Sequence, residues 1–511
     1  MTKRGDPLAA HSEVVDFELC TAAADLLAPS LQQYDGCNII DVNPGTGLWS
    51  STINNLLRPK RHVLIEDDQR FYPFVERLLQ SDPSYTHVPY NGSDPQSLTR
   101  VVDEGLVPWT EISPVPTKSS TSTLILMNLT RLAGIRSTGA AVKTKDKVLR
   151  RGRILNLLRE AWCRSGIQKH GPVRTLLWVD DDVKDLVVPK TVIDNNTSVI
   201  SRRYASHMHV VAEDFSKTAR ADGGGELEWR STWQAMKRME AAGLKIPEQR
   251  QNLLHKTLLR LGEDWPRTWE RIRQTKYKDF DQLDVPAGKK FYHRHRINNQ
   301  PYLNEAREVR RLERLAVDDS VPEEARVAAR EEYEKRSSQL SRAVASFNKG
   351  QALTFHQDAD REILMNRDPP GLVWDRRPFE PIDCTKKDFY LPKLLSDNGM
   401  VLLDLCASRP TQEQNMSDMI YWERVVSRIM ECGTESPATR FNRISPGAAE
   451  QLMPKLSALY DPLRHGTLNP EYFRTRLVTY EMLDEMVAAL RSWPSLPRHI
   501  HEALVAPEWL D

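Results

Sequence analysis

Cysteine is scarce and unpatterned. The 511 residues hold six, Cys20, Cys37, Cys163, Cys384, Cys406 and Cys432, and none forms a CxxC pair. That argues against a zinc ribbon and a disulfide scaffold and fits a reducing compartment. Net charge is also missing. Lys and Arg total 71 and Asp and Glu total 70, so any nucleic-acid contact must be a local patch, not a generally polybasic surface. No apolar run approaches the about 18 residues a membrane-spanning helix needs, so no membrane insertion is expected. There is no internal repeat, no nucleophile elbow, no Walker-type lysine loop and no G-x-G-x-x-G. His293 and His295 lack the further ligands that would complete a metal site, so none is expected. The first 18 residues carry Lys3 and Arg4 but also Asp6, Glu13, Asp16 and Glu18, unlike an acid-poor transit peptide.

What is present supports a core: 40% of residues are apolar and 28% charged, and the length predicts about two to four domains. The first 215 residues alternate strand and helix patterns. Apolar runs at Cys37–Val42, Arg61–Glu66, Ser122–Asn128, Arg174–Val179 and His207–Ala212 read as strands. Leu48–Leu57, Gln69–Leu79 and Lys147–Gly166 read as helices. That alternation predicts an α/β, doubly wound, mainly parallel sheet. From about 220 to 365 the rhythm breaks into a charged stretch. It holds helices over Asn304–Leu315 and Pro322–Phe347, with Ser320 and Glu323 spaced as a capping box. Such a charge run predicts a solvated helical arm. Gly371–Trp374 returns to strand character, and from about 386 the pattern is helical, over Gln412–Cys432, Pro446–Leu459 and Tyr480–Ser492.

Asp41-Val42-Asn43-Pro44-Gly45-Thr46-Gly47 stands between a strand and a helix, where glycines let a cofactor approach backbone N–H groups. Glu66 ends the next strand, 19 residues after Gly47, where a carboxylate can take both ribose hydroxyls of a nucleoside. Asp94 follows where a third strand should end, suited to an adenine amino group, and Asn128 ends the fourth. Each alone has a bland reading: a turn or capping acid for Asp41 and Asp94, a surface acid for Glu66. Together they describe a nucleoside-binding edge of the S-adenosylmethionine type.

The run NIIDVNPGTGLWSSTINNLLRPKRHVLIEDD resembles the first two motifs of the ribosomal RNA adenine dimethyltransferase family, closest to its fungal mitochondrial branch, the mitochondrial transcription factor B proteins. TLILMNLT, GPVRTLLWV, GLVWDRRPFEPI, RFNRISPGAAEQLMPKLSALYDPLRHGTLNPEYF and LVTYEMLDEMVAALRSWPSLP match further blocks in order. The resemblance covers most of 12–215 and 370–500. It implies a class I S-adenosylmethionine methyltransferase (Rossmann-like) sheet followed by a small helical domain; the first part of the sheet is expected over 1–219, and the charged stretch at 220–365, outside the resemblance, reads as a helical insertion. The last strand region then falls at 366–385 and a C-terminal all-helical domain at 386–511. It also implies S-adenosyl-L-methionine as cofactor, mitochondrial RNA polymerase with DNA or RNA as partners, and a mitochondrial location. By position, Asp41, Gly45 and Gly47 would form the cofactor loop. Glu66 would hold the ribose, Asp94 the adenine, and Asn128 would bind cofactor and open the catalytic motif.

Three departures bear on catalysis. An active family member continues Asn-Leu-Pro-Tyr or Asn-Leu-Pro-Phe, whose aromatic ring stacks on the flipped adenine. Here the run is Asn128-Leu129-Thr130-Arg131. Asn43 replaces the first glycine of the loop and crowds the methionine end. The family's Gln-Asn-Phe-Leu start is absent, with His11–Phe17 near its expected place.

Between Lys143 and Arg174 stand ten Lys or Arg against two acids. Lys147, Arg150, Arg151 and Arg153, with Arg131, are the expected phosphate contacts, reading no sequence. Lys289–Arg296 interleaves cations with aromatics, which suits a single strand. Three readings stay open: a non-catalytic initiation factor, an active adenine N6-methyltransferase, and an RNA-binding assembly factor.

Overall fold

Short β-rich, glycine-bounded runs form the sheet and amphipathic segments cover it. In the computed structural model, residues 12–108, 120–130, 140–193, 195–215, 225–275, 294–390 and 399–505 are described. The first half runs β1 (Glu13–Val14), α1 (Phe17–Leu31), β2 (Asn38–Val42), α2 (Leu48–Leu57), β3 (Arg61–Ile65), α3 (Tyr72–Ser81), β4 (Tyr85–Val88), α4 (Gln96–Asp103) and β5 (Ser120–Asn128). It continues with α5 (Ala140–Trp162), β6 (Val173–Asp180), α6 (Asp181–Val187), α7 (Asn195–Tyr204) and β7 (Ala205–Glu213). Next come α8 (Glu226–Ala241), α9 (Leu253–Leu261), α10 (Trp265–Gln274), α11 (Arg294–Leu315), α12 (Glu323–Ala345) and α13 (Lys349–Met365). The chain closes with β8 (Ile382–Asp383), β9 (Phe389–Tyr390), β10 (Met400–Ala407), α14 (Met416–Met430), α15 (Pro437–Ile444), α16 (Ala448–Leu452), α17 (Tyr480–Arg491) and α18 (Arg498–Val505).

The main sheet has eight strands in the order β4-β3-β2-β5-β6-β10-β7-β8. Strands β2 to β6 pair in parallel, while β10 runs antiparallel between β6 and β7. This is an α/β fold with a mixed sheet, compatible with a Rossmann-like arrangement. Its strands are apolar on both faces, as a sheet covered by helices on both sides requires. Ile40, Val42, Ile125, Met127, Leu177 and Val179 join one core cluster, and Ile39, Leu124, Leu126, Leu176 and Trp178 the other. The first cluster continues without a break into Met419, Val425, Phe441 and Met486 of the C-terminal helices.

The five strands expected in the first half are present, within a few residues of the expected bounds. Other expectations need correction. Gly371–Trp374 is not a strand: it turns into a 3-10 helix at Trp374–Arg376. The strand that completes the sheet is β10, inside the stretch read as wholly helical. Its Asp404 disguises it, because an acid within an apolar run argues against a central strand until its partner is known. Here Arg174 of β6 donates to Asp404 at 2.8 and 2.6 Å. The capping box at Ser320 and Glu323 does not form, since Ser320 donates instead to Asp318 and α12 starts without a side-chain cap.

Nor is the inserted stretch simply a solvated arm. Helices α8, α9 and α10 bury Trp229, Trp265 and Trp269 with Leu258 and Ile272. Arg377, 1% exposed, locks α8 to the chain beyond the insertion. It donates to Ser231 Oγ at 2.8 Å and Thr232 Oγ1 at 3.1 Å, and pairs with Glu380 at 2.9 Å. Among the described helices of this stretch, α12 fits the expectation, burying just Ala329 and Tyr333.

Candidate functional site

Strand register lines up the expected residues. Val42 pairs with Ile65 on one side and Met127 on the other, so Asn43, Glu66 and Asn128 leave their strands level with one another. All three are buried, Glu66 completely. Glu66 Oε1 accepts from the Asp68 N–H at 2.9 Å, and its carbonyl lies 2.9 Å from His87 Nε2.

The glycine turn has the expected shape, but the chain's own groups line it. Asn43 stands in the left-handed region at φ 57°, which Asn tolerates better than most residues. Its Nδ2 donates to the Asn128 carbonyl at 2.9 Å. A Cβ on Gly92 would fall 2.0 Å from Asn43 Oδ1, so the amide fills the gap between the first loop and the third. Gly45 also has positive φ, and a Cβ there would fall 2.0 Å from Glu13 Oε2. Glu13 lies over the turn: its Oε2 accepts from Thr46 N–H at 3.2 Å, at the entrance to α2. A carboxylate at a helix N-terminus is favoured by the unsatisfied N–H groups and the helix dipole.

Asn128 is likewise committed. Its Nδ2 donates to the Ser12 carbonyl at 3.0 Å and lies 3.3 Å from Glu13 Oε1. Its Oδ1 accepts from the Thr130 N–H at 3.0 Å and the Thr130 hydroxyl at 2.7 Å. Thr130 is fully buried and accepts from Ser12 N–H at 3.1 Å. The segment from Ser12 to Val14 therefore lies directly across the Asn128–Thr130 turn and the glycine turn.

That segment is fixed from two directions. β1 pairs antiparallel with β9, and Val15 N–H donates to the Asp388 carbonyl at 2.9 Å. Arg250, between α8 and α9, clamps Asp16 at 2.7 Å and Asp388 at 3.0 Å. The inserted stretch thus helps hold the N-terminal segment over the site. Ser12, Glu13 and Arg250 were not legible as site residues. The only signal was that His11–Phe17 stands near the place expected for a Gln-Asn-Phe-Leu start.

Two expected cofactor residues have other work. Asp41 Oδ2 lies 3.3 Å from His62 Nε2. His62 Nδ1 accepts from Asn54 Nδ2 at 3.1 Å, and Asn54 also reaches Ser84 Oγ at 3.1 Å. Asp41 therefore closes a buried polar chain joining β2, α2 and β3, a structural duty, since a buried acid needs such partners. Asp94 is exposed, and its Oδ1 accepts from Gln96 N–H at 2.9 Å, the turn-forming role.

Several described arginines of the basic run are engaged within the protein. Arg153 donates to the carbonyls of Ser93 and Asp94, and burial pulls its pKa down against Asp94 and Glu160. Arg151 is half-buried and its pKa is lowered by the same cause. Arg159 pairs with Glu423 of α14 at 2.6 Å. Arg174 is in the buried pair with Asp404. Arg131, the side chains of Lys147 and Arg150, and those of the Lys289–Arg296 run lie outside the described residues. Searches against protein-family models and against curated proteins found no match for this chain.

Proposed function

We propose that this chain is a transcription initiation factor that assists mitochondrial RNA polymerase in promoter recognition and melting, built on the frame of a ribosomal RNA adenine dimethyltransferase. Mitochondrial location and DNA or RNA contact belong to the same proposal. Strand order supports the frame: a parallel β4-β3-β2-β5-β6 series followed by one antiparallel strand is the order expected of a class I S-adenosylmethionine-dependent methyltransferase sheet. One observation carries the non-catalytic reading. The strand-end row is occupied by the chain itself, with both polar ends of the Asn128 amide bound to Ser12, Glu13 and Thr130. A target adenine amino group would need those same lone pairs, and no aromatic side chain follows Asn128 to stack on the base. The test is a fluorescence assay of promoter opening with the cognate mitochondrial RNA polymerase. Stimulation is expected; its absence would sink the proposal.

The second reading is an active S-adenosylmethionine-dependent adenine N6-methyltransferase. It is favoured by Glu66, fully buried at the end of β3 and level with Asn128. Methyl transfer to ribosomal RNA, measured beside a working family enzyme, decides between the two.

A further inference from the structure

A cavity of about 460 Å³ opens between α11, α13 and the turn at 462–465, with no strand-end residue in its lining. Its walls are apolar at Leu303, Ala306 and Ile363, and its rim is cationic, with five arginines against Asp318 and Glu362. Three arginines are matched: Arg307 with Glu362 at 2.6 Å, Arg310 with Glu313, and Arg311 with Glu308 at 2.7 Å. Two are not. Arg314 is exposed and forms no ion pair within 4 Å among the described residues, though it lies near enough to Asp318 to help lower that carboxyl's pKa. Arg367 donates to the Leu477 carbonyl, while its Nε is buried without a hydrogen-bond partner and no carboxylate pairs with it among the described residues.

A buried guanidinium nitrogen left without a partner, as in Arg367, is costly unless an anion completes it, and Arg314 and Arg310 add to the positive charge around the same cavity. We infer that this cavity is a binding site for a small phosphate-bearing ligand of nucleotide size, whose phosphates are held by Arg314 and Arg367 and whose apolar part lies on Leu303 and Ile363. The volume is that of a small-molecule site. The planar guanidinium fork matches phosphate oxygens in pairs. His465 reports the same concentration of charge. Burial first, then Arg367, Arg314 and Arg310, pull its pKa below the usual histidine value. Arg367 itself is lowered to about 9, by burial first and then by Arg310 and Arg202, against Asp360.

The test is calorimetric titration of the full chain with sodium pyrophosphate and with magnesium-free ATP at constant ionic strength. Saturable one-to-one binding is expected, weakened at least about tenfold by Arg314→Gln and by Arg367→Gln. Arg311→Gln, which removes an arginine already paired with Glu308, should bind as the parent does. Arg314 is exposed, so its variant decides the matter even if Arg367→Gln fails to fold. Tighter binding of ATP than of pyrophosphate would support the role of the apolar wall. The inference is overturned if neither probe binds saturably, or if both variants bind as the parent does. It is equally overturned if only a single-stranded oligonucleotide binds with sensitivity to Arg314.

Discussion

Glu13 offers the sharpest test of how the strand-end row is closed. Its carboxylate accepts from Thr46 N–H at 3.2 Å and lies 3.3 Å from Asn128 Nδ2, two donors that an acceptor group of a ligand in the strand-end row would otherwise meet. Hydrogen bonds to a charged group contribute about 1.5–3 kcal/mol each, and these two are long, so the lower figure applies. A ligand that displaces the carboxylate therefore forfeits about 3 kcal/mol, or about 100-fold in affinity. The perturbation is Glu13→Ala, and the assay is calorimetric titration with S-adenosylhomocysteine. The variant should bind up to about 100-fold more tightly than the parent and, without ligand, should unfold at lower urea. Equal affinity in both proteins would refute the reasoning, because Glu13 would then not compete for the site. Binding by neither protein would also refute it, because closure would not be what keeps the ligand out.

Three further outcomes follow from the same geometry. Glu160 is held by burial at a pKa raised from 4.5 to about 7, against the Ile167 N–H and Arg153. Its contribution to stability is full below pH 4.5 and is lost as pH rises to about 7, at ~1.4 kcal/mol per pH unit. Urea unfolding should thus find Glu160→Gln equal to the parent near pH 4.5 and about 3 kcal/mol more stable at pH 8; a gap independent of pH would contradict this. Arg377→Met leaves Glu380 buried without its ion pair and should cost about 3–5 kcal/mol, with part recovered when Glu380 becomes Gln, as denaturant melts would show. Arg153→Gln should lower stability by about 1–3 kcal/mol yet leave DNA affinity in filter binding within about twofold, because that guanidinium is bound to Ser93 and Asp94.

Local pattern alone determined much of this protein. Apolar runs bounded by glycine and polar turns specified the parallel strands of the first half, since a strand covered on both faces needs nothing but apolar side chains. The turn Asn43–Gly47 and the acid at Glu66 were legible because their conformations and spacing are local. What tertiary structure decided is everything that depends on a distant partner. β10 became a central strand only because Arg174 neutralises Asp404. Asp41 became structural because His62 stands on the neighbouring strand. Arg159, Arg174 and Arg153 of the basic run were taken up by Glu423, by Asp404 and by loop carbonyls. Asn128 met Ser12, 116 residues earlier in the chain. Sequence periodicity reports which face of an element is apolar. It carries no information on which polar groups from remote segments will satisfy one another once water is excluded, and that pairing set the chemistry of the site.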